Sequence, residues 1–224
     1  MIVKIKRQQA HDSAPYWQSF VYEGPLHVPV SAVLDALNYT DDLLDTTGNH
    51  APRIRWECSC MQALCGGCAI VINGTPALAC NTFVDQVTKK ELVLEPLSKF
   101  PVVADLIVDR SIIHENLNSA KAYIETVAAS SSKDHEHRYS VAKCLKCGLC
   151  LEICPNYHPS EKFFGAVFAN ESYLITEQSA EKPKALITEY KTHFGAKCSK
   201  VLSCQNICPV GIETITSIMK MNRK

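Results

Sequence analysis

No apolar run in the 224-residue sequence approaches the roughly 20 residues needed to cross a bilayer, so any link to a membrane has to pass through a partner. Nor is there an excess of one charge: 23 basic residues face 23 acidic ones, and without a basic footprint nucleic acid is set aside as a partner. No signal peptide opens the chain, which argues against the disulfide framework that dense cysteine would suggest in a secreted protein. What the chain has in quantity is cysteine, 12 residues, at spacings that suit thiolate ligands to metal in a reducing compartment, read as the cytoplasm. Its length and ordinary composition fit two domains.

The most informative stretch is Cys144-Leu-Lys-Cys147-Gly-Leu-Cys150-Leu-Glu-Ile-Cys154-Pro155. Three thiolates this close can wrap one cubane as the backbone curls past it, while the fourth points away and ligates a second cluster. A complementary run must then exist. Cys198-x5-Cys204-x3-Cys208-Pro209 has the same ending with one cysteine missing from its middle. The competing reading, a zinc ribbon of paired knuckles, needs only four ligands and has no use for a trailing Cys-Pro in both runs. Between the runs, residues 161–175 and 183–194 read as two helices, the plan of a small helical domain with two clusters. Residues 212–224 read as an amphipathic helix whose cationic end, Lys220, Arg223 and Lys224, complements its own dipole, the competing reading being a docking face for a membrane partner.

The first part reads differently. Residues 1–7 alternate apolar and charged, residues 17–22 read as the hairpin mate, and Ser31 reads as the cap of a short helix that buries Val33, Leu34 and Leu37. Next comes Cys58-Ser-Cys60-Met-Gln-Ala-Leu-Cys65-Gly-Gly-Cys68, with Cys80 after it. Cys-x4-Cys-x2-Cys with a distant fourth cysteine is the plant-type pattern for a [2Fe-2S] cluster, which Cys60, Cys65, Cys68 and Cys80 fit. Gly66 and Gly67 let backbone N–H groups approach the sulfides. Cys58 breaks the spacing and reads as a buried thiol or one lying beside the cluster, outside the ligand set. Residues 69–73 and 75–80 form strands about an Asn73-Gly74 turn, and residues 91–95 close the sheet. Apolar residues from Val102 recur at helical spacing through Leu106, Ile107, Ile112 and Ile113. Residues 129–137 read as polar linker with solvated His135 and His137. The expected fold is α+β: a β-grasp, plant-type ferredoxin domain over residues 1–98, then an α-helical, bacterial-ferredoxin-like domain over residues 99–224.

With the three cysteine sets laid out, the chain resembles the iron-sulfur subunit of succinate dehydrogenase and fumarate reductase over nearly its whole length. The likeness rests on the Cys60–Cys68 loop, on Pro101-Val-Val-Ala-Asp-Leu-Ile-Val-Asp109, and on both later runs. It implies [2Fe-2S] ligands Cys60, Cys65, Cys68 and Cys80, and [4Fe-4S] ligands Cys144, Cys147, Cys150 and Cys208. It also implies a [3Fe-4S] cluster on Cys154, Cys198 and Cys204, with Val201 where a fourth ligand would stand. The partners implied are a flavoprotein subunit carrying FAD, where succinate and fumarate interconvert, and a membrane-anchor subunit with a quinone site. This chain would hold no substrate chemistry. It would lie at the cytoplasmic face of the inner membrane, peripheral through those partners. Met61 replaces the family's usual arginine. His158, Pro159 and Ser199 stand where ubiquinone-linked members carry two tryptophans and a histidine, which points towards menaquinone.

Overall fold

Alternation at the N-terminus becomes strand β1 (Ile2–Arg7), with Val3, Ile5 and Arg7 turned inward. A computed structural model describes residues 1–88, 90–127, 134–181 and 183–224 and divides the chain into two compact units, Met1–Asp109 and Arg110–Lys224.

In the first unit β1 is followed by β2 (Tyr16–Val21), α1 (Val30–Asn38), β3 (Ala69–Ile72), β4 (Thr75–Leu78), α2 (Val84–Val87), β5 (Glu91–Glu95), β6 (Val102–Ala104) and β7 (Ile107–Val108). The first five strands form one sheet in the order β2-β1-β5-β3-β4. β5 therefore joins the sheet at its centre, parallel to β1 and antiparallel to β3, rather than at an edge. Phe20, Val33, Leu34, Ile70, Ile72, Leu92 and Leu94 make the core, each worth about 1.5–3 kcal/mol on full burial. The β3–β4 hairpin turns at Asn73 and Gly74, both with positive φ (46° and 77°), the two-residue turn that matches strand twist.

Three expectations are corrected in this unit. Ser31 does not cap α1: Pro29 stands at the N-cap, and Ser31 is buried inside the first turn. Cys58 is exposed, not buried. Residues 102–108 are not helical but the hairpin β6–β7, turned at Asp105 with φ 47°. The cause is a long-range ion pair. Arg7 Nε lies 3.0 Å from Asp105 Oδ1, with the two side chains 1 % and 2 % exposed. The same carboxylate accepts the backbone N–H of Gln8 and of Arg55, at 3.0 Å each.

The second unit is helical: α3 (Ser111–Ser119), α4 (His135–Ala142), α5 (Leu149–Glu152), α6 (Gly165–Gln178), α7 (Lys184–His193), α8 (Ser203–Asn206) and α9 (Thr214–Met221). Helix α6 is apolar round most of its circumference and serves as the hub against which α4, α5, α7 and α9 pack. It starts at Gly165, where φ is 71° and a Cβ would lie 2.3 Å from Leu151 Cδ2, so any other residue is strained there and forces the buried Leu151 side chain to shift. Of the expected polar linker, residues 128–133 lie outside the described residues, and its end is the first turn of α4. His135 is exposed as expected, but His137 is half-buried: Nε2 sits 3.0 Å from Ser217 Oγ, the ring packs on Tyr173, and burial lowers its pKa. At the tail, α9 buries Thr214, Ser217, Ile218 and Met221. Two of its three cations are engaged within the unit, Lys220 with Asp134 and Lys224 with Glu177. No helix among the described residues is long and apolar enough to cross a membrane.

Candidate metal centres

In the first unit the loop that carries three of the cysteines is clamped at its root. Arg7 donates to the carbonyls of Pro52 and Arg53, at 3.0 and 3.2 Å, and the Asn38 side chain pairs with both backbone groups of Ile54, at 2.8 Å each. At its other end the chain runs straight into β3. Cys80 sits in a 3-10 turn, Ala79–Asn81, just beyond β4, and α1 packs beside that turn.

Between these anchors the backbone turns its N–H groups inward. Gln62 and Leu64 donate to Cys60 Sγ (3.4 and 3.2 Å), Gly67 to Cys65 Sγ (3.5 Å), and Ala63 to Cys80 Sγ (3.3 Å). Positive φ at Met61, Ala63 and Gly66 makes this curl possible. The hydrogen bonds from Gln62 and Leu64 draw the Cys60 thiol down to about 7, and burial pushes Cys68 up to about 12. Cys68 and Cys80 are side by side with sulfurs 3.2 Å apart, well beyond the roughly 2.05 Å of a disulfide. Cys65 lies against Cys60. Thus the four thiols stand as two neighbouring pairs, the requirement of a two-iron core whose irons are each held by two thiolates. Cys58 stands near Asp35 and Cys65 on the exposed side, its thiol raised by partial desolvation and then by those charges.

The second unit assembles its thiols from both runs. Cys144, Cys147, Cys150, Cys204 and Cys208 line one pocket under α6. Burial raises Cys144 to about 11 and Cys150 well above its ordinary value, with thiolates at Cys147, Cys144, Cys204 and Cys208 adding to the second shift. Cys204 also rises to about 11, through burial and then through Cys154 and Cys198, which are not among the residues lining that pocket. Two adjoining patches result. Asn156 fastens them, donating to the Lys197 carbonyl at 2.7 Å and accepting from Ser199 Oγ at 3.0 Å. His158 is exposed and turned to Ser160, 2.7 Å away.

The two runs also repeat each other in backbone. Lys146 and Gly148 have positive φ, as do Lys200 and Leu202, and each curl then enters a single helical turn, α5 or α8. The hydrogen bonds match position for position: Leu151 N–H to Gly148 carbonyl with Gln205 to Leu202, and Cys154 to Leu151 with Cys208 to Gln205, both of the latter at 3.2 Å. In this repeat Val201 occupies the place of Cys147 and is 60 % exposed.

None of the 12 cysteines forms a disulfide. Inward N–H groups, paired sulfurs and a thiol-lined pocket fit iron-sulfur cores, whose iron charge would displace the protons that burial otherwise holds on these sulfurs. Several positioning residues escaped the sequence reading. Arg7, Asn38 and Asp105 are far apart in sequence from the loop they hold. Asn170 and Thr214 on the pocket wall were hidden in apolar helices, where a buried polar residue was the only signal.

Fold and thiol placement together define an iron-sulfur electron-transfer protein. Residues 2–115 match a 2Fe-2S iron-sulfur cluster binding domain, and residues 140–212 match a 4Fe-4S dicluster domain. The succinate dehydrogenase iron-sulfur subunit of Bacillus subtilis is 31 % identical, covering 98 % of this chain and 90 % of that protein. The fumarate reductase iron-sulfur subunit of Escherichia coli O157:H7 is 30 % identical, covering 93 % and 86 %. A chain of the Mycobacterium smegmatis Sdh1 complex in the apo form shares the fold, with a TM-score of 0.76 at 21 % identity over 100 % of this chain and 96 % of that one. The chain belongs to the family of succinate dehydrogenase and fumarate reductase iron-sulfur subunits.

Proposed function

We propose that this subunit relays electrons between the FAD of a flavoprotein subunit and a quinone at a membrane-anchor subunit, itself staying peripheral at the cytoplasmic face of the inner membrane. The ligands are Cys60, Cys65, Cys68 and Cys80 for [2Fe-2S], Cys144, Cys147, Cys150 and Cys208 for [4Fe-4S], and Cys154, Cys198 and Cys204 for [3Fe-4S]. When bound, the clusters supply one-electron chemistry. The chain's own part is to hold the sulfurs, aim backbone N–H groups at them and keep water from the inner set. The observation that carries this reading is the backbone repeat of the two late runs, in which an apolar, exposed Val201 replaces a ligating position. Pro159 and Ser199, where tryptophan and histidine stand in ubiquinone-linked members, support menaquinone as the acceptor.

The test is purification of the native complex and an assay of succinate oxidation with a quinone acceptor. The chain is expected to co-purify with a flavoprotein and to support turnover; its isolation without any flavoprotein would sink the reading.

A second outcome follows from Val201. Val201→Cys restores Cys-x2-Cys-x2-Cys on a backbone already shaped for it. A fourth iron should enter, lowering the potential of that centre and slowing quinone-linked turnover, while flavin turnover with an artificial acceptor persists. Electron paramagnetic resonance of the oxidised proteins checks it: wild type should give a [3Fe-4S] signal and the variant should lose it. An oxidised wild type with only diamagnetic cubanes in this unit refutes the three-iron assignment.

A further inference from the structure

The pocket walled by Cys144, Cys147, Cys150, Cys204 and Cys208 contains a polar side chain with no role so far, Asn170 from the middle of α6. It is 4 % exposed. Its amide nitrogen lies 3.1 Å from Oγ1 of Thr214, the buried first residue of α9, which lines the same pocket. Placed that way, Nδ2 donates to the hydroxyl, and Oδ1 is buried with no hydrogen-bond partner.

An amide's oxygen and nitrogen are told apart only by what they touch. A buried acceptor with nothing to accept, in a pocket of sulfurs that become anionic, is the unfavourable choice of the two. Half a turn about χ2 reverses both ends. Oδ1 then accepts the Thr214 hydroxyl hydrogen, and the NH2 group points to where the oxygen was, with hydrogens to offer the sulfurs.

We propose that Asn170, latched by Thr214, donates a hydrogen bond to a sulfur of the cluster held by Cys144, Cys147, Cys150 and Cys208, and thereby raises its reduction potential. The proposal rests on the [4Fe-4S] placement made above. Reduction adds negative charge to the core, and a donor aimed at sulfur stabilises the more negative state; hydrogen bonds to the sulfurs are among the levers on such potentials. The rest of the wall is largely apolar, with Leu145, Val167, Val210 and Ile212, so few other groups compete for the sulfurs. Lys146, the one cation among the lining residues, is already paired with Glu171 at 2.9 Å. Asn170 is thus a positioning and tuning group rather than a ligand.

Redox titration of the native complex, followed by electron paramagnetic resonance, tests it on wild type, Asn170→Leu, Thr214→Val and Thr214→Ser. Asn170→Leu removes the donor, and Thr214→Val removes only the hydroxyl that fixes its direction. Both should lower the midpoint potential of the [4Fe-4S] centre and leave the other two centres unmoved, while Thr214→Ser, which keeps the hydroxyl, should titrate as wild type. If Asn170→Leu fails to assemble, the Thr214 pair decides alone. Unchanged potentials throughout overturn the donor role. A shift confined to the third cluster overturns instead the ligand placement on which the proposal rests, so the two failures are distinguishable.

Discussion

Cys65→Ser is expected to abolish the [2Fe-2S] absorption and paramagnetic signal, while Cys58→Ser leaves both intact. A serine oxygen is a harder ligand than thiolate for an iron-sulfide core. Cys65 also stands against Cys60 and accepts the Gly67 N–H, so the serine variant loses one member of a paired set of sulfurs. The loss should exceed the roughly 10–100-fold affinity cost of removing an outer hydrogen-bond partner. Iron and acid-labile sulfide, assayed per chain alongside the spectra, give the stoichiometry. Loss of the signal in Cys58→Ser with retention in Cys65→Ser would reverse the ligand set.

Asp105→Ala should destabilise the first unit by about 3–5 kcal/mol, the usual cost of removing one partner of a buried ion pair. Arg7 is left charged and 1 % exposed, and the backbone N–H groups of Gln8 and Arg55 lose their acceptor. Asp105→Asn should cost less, because an amide oxygen still accepts. The chain's two tryptophans, Trp17 and Trp56, both lie in the first unit, so fluorescence during urea denaturation reads that unit. An alanine variant within about 1 kcal/mol of wild type, the size of an ordinary surface ion pair, would show that Arg7 finds another partner. Because Arg7 also holds Pro52 and Arg53, the variant should load its [2Fe-2S] cluster poorly as well.

Whatever depended on local spacing could be read from the sequence. The Asn73-Gly74 turn, the alternation of β1 and the neighbourhood of the two late cysteine runs all follow from residues a few positions apart. Most of what was misread was decided at long range. Residues 102–108 carry an apolar pattern compatible with either period, and it is Arg7, on a different strand, that selects the hairpin. Ser31 has the chemistry of a cap, yet Pro29, already extended with ψ 152°, takes the position before the first turn. His137 looks like linker in a string of polar residues. It packs because Tyr173 and Ser217, on α6 and α9, close over it. Cys58 has the composition of a core residue and the position of a loop residue, and position prevailed. Asn170 and Thr214 meet only in the folded pocket, and neither sits in a motif.

The central place of β5 has a consequence for how the protein is made. Lys6 and Glu95 are partners 89 positions apart, so β1 waits for most of the first unit to be synthesised before its parallel neighbour exists. At roughly 5–20 residues per second, that wait lasts several seconds. Meanwhile β1–β2 and β3–β4 can form only as separate hairpins, each marginal alone in water. The cysteine loop lies between them in sequence and emerges from the ribosome before the strand that unites them. Its thiols therefore emerge before the sheet they adjoin is complete, and the arrival of residues 91–95 closes that sheet behind them.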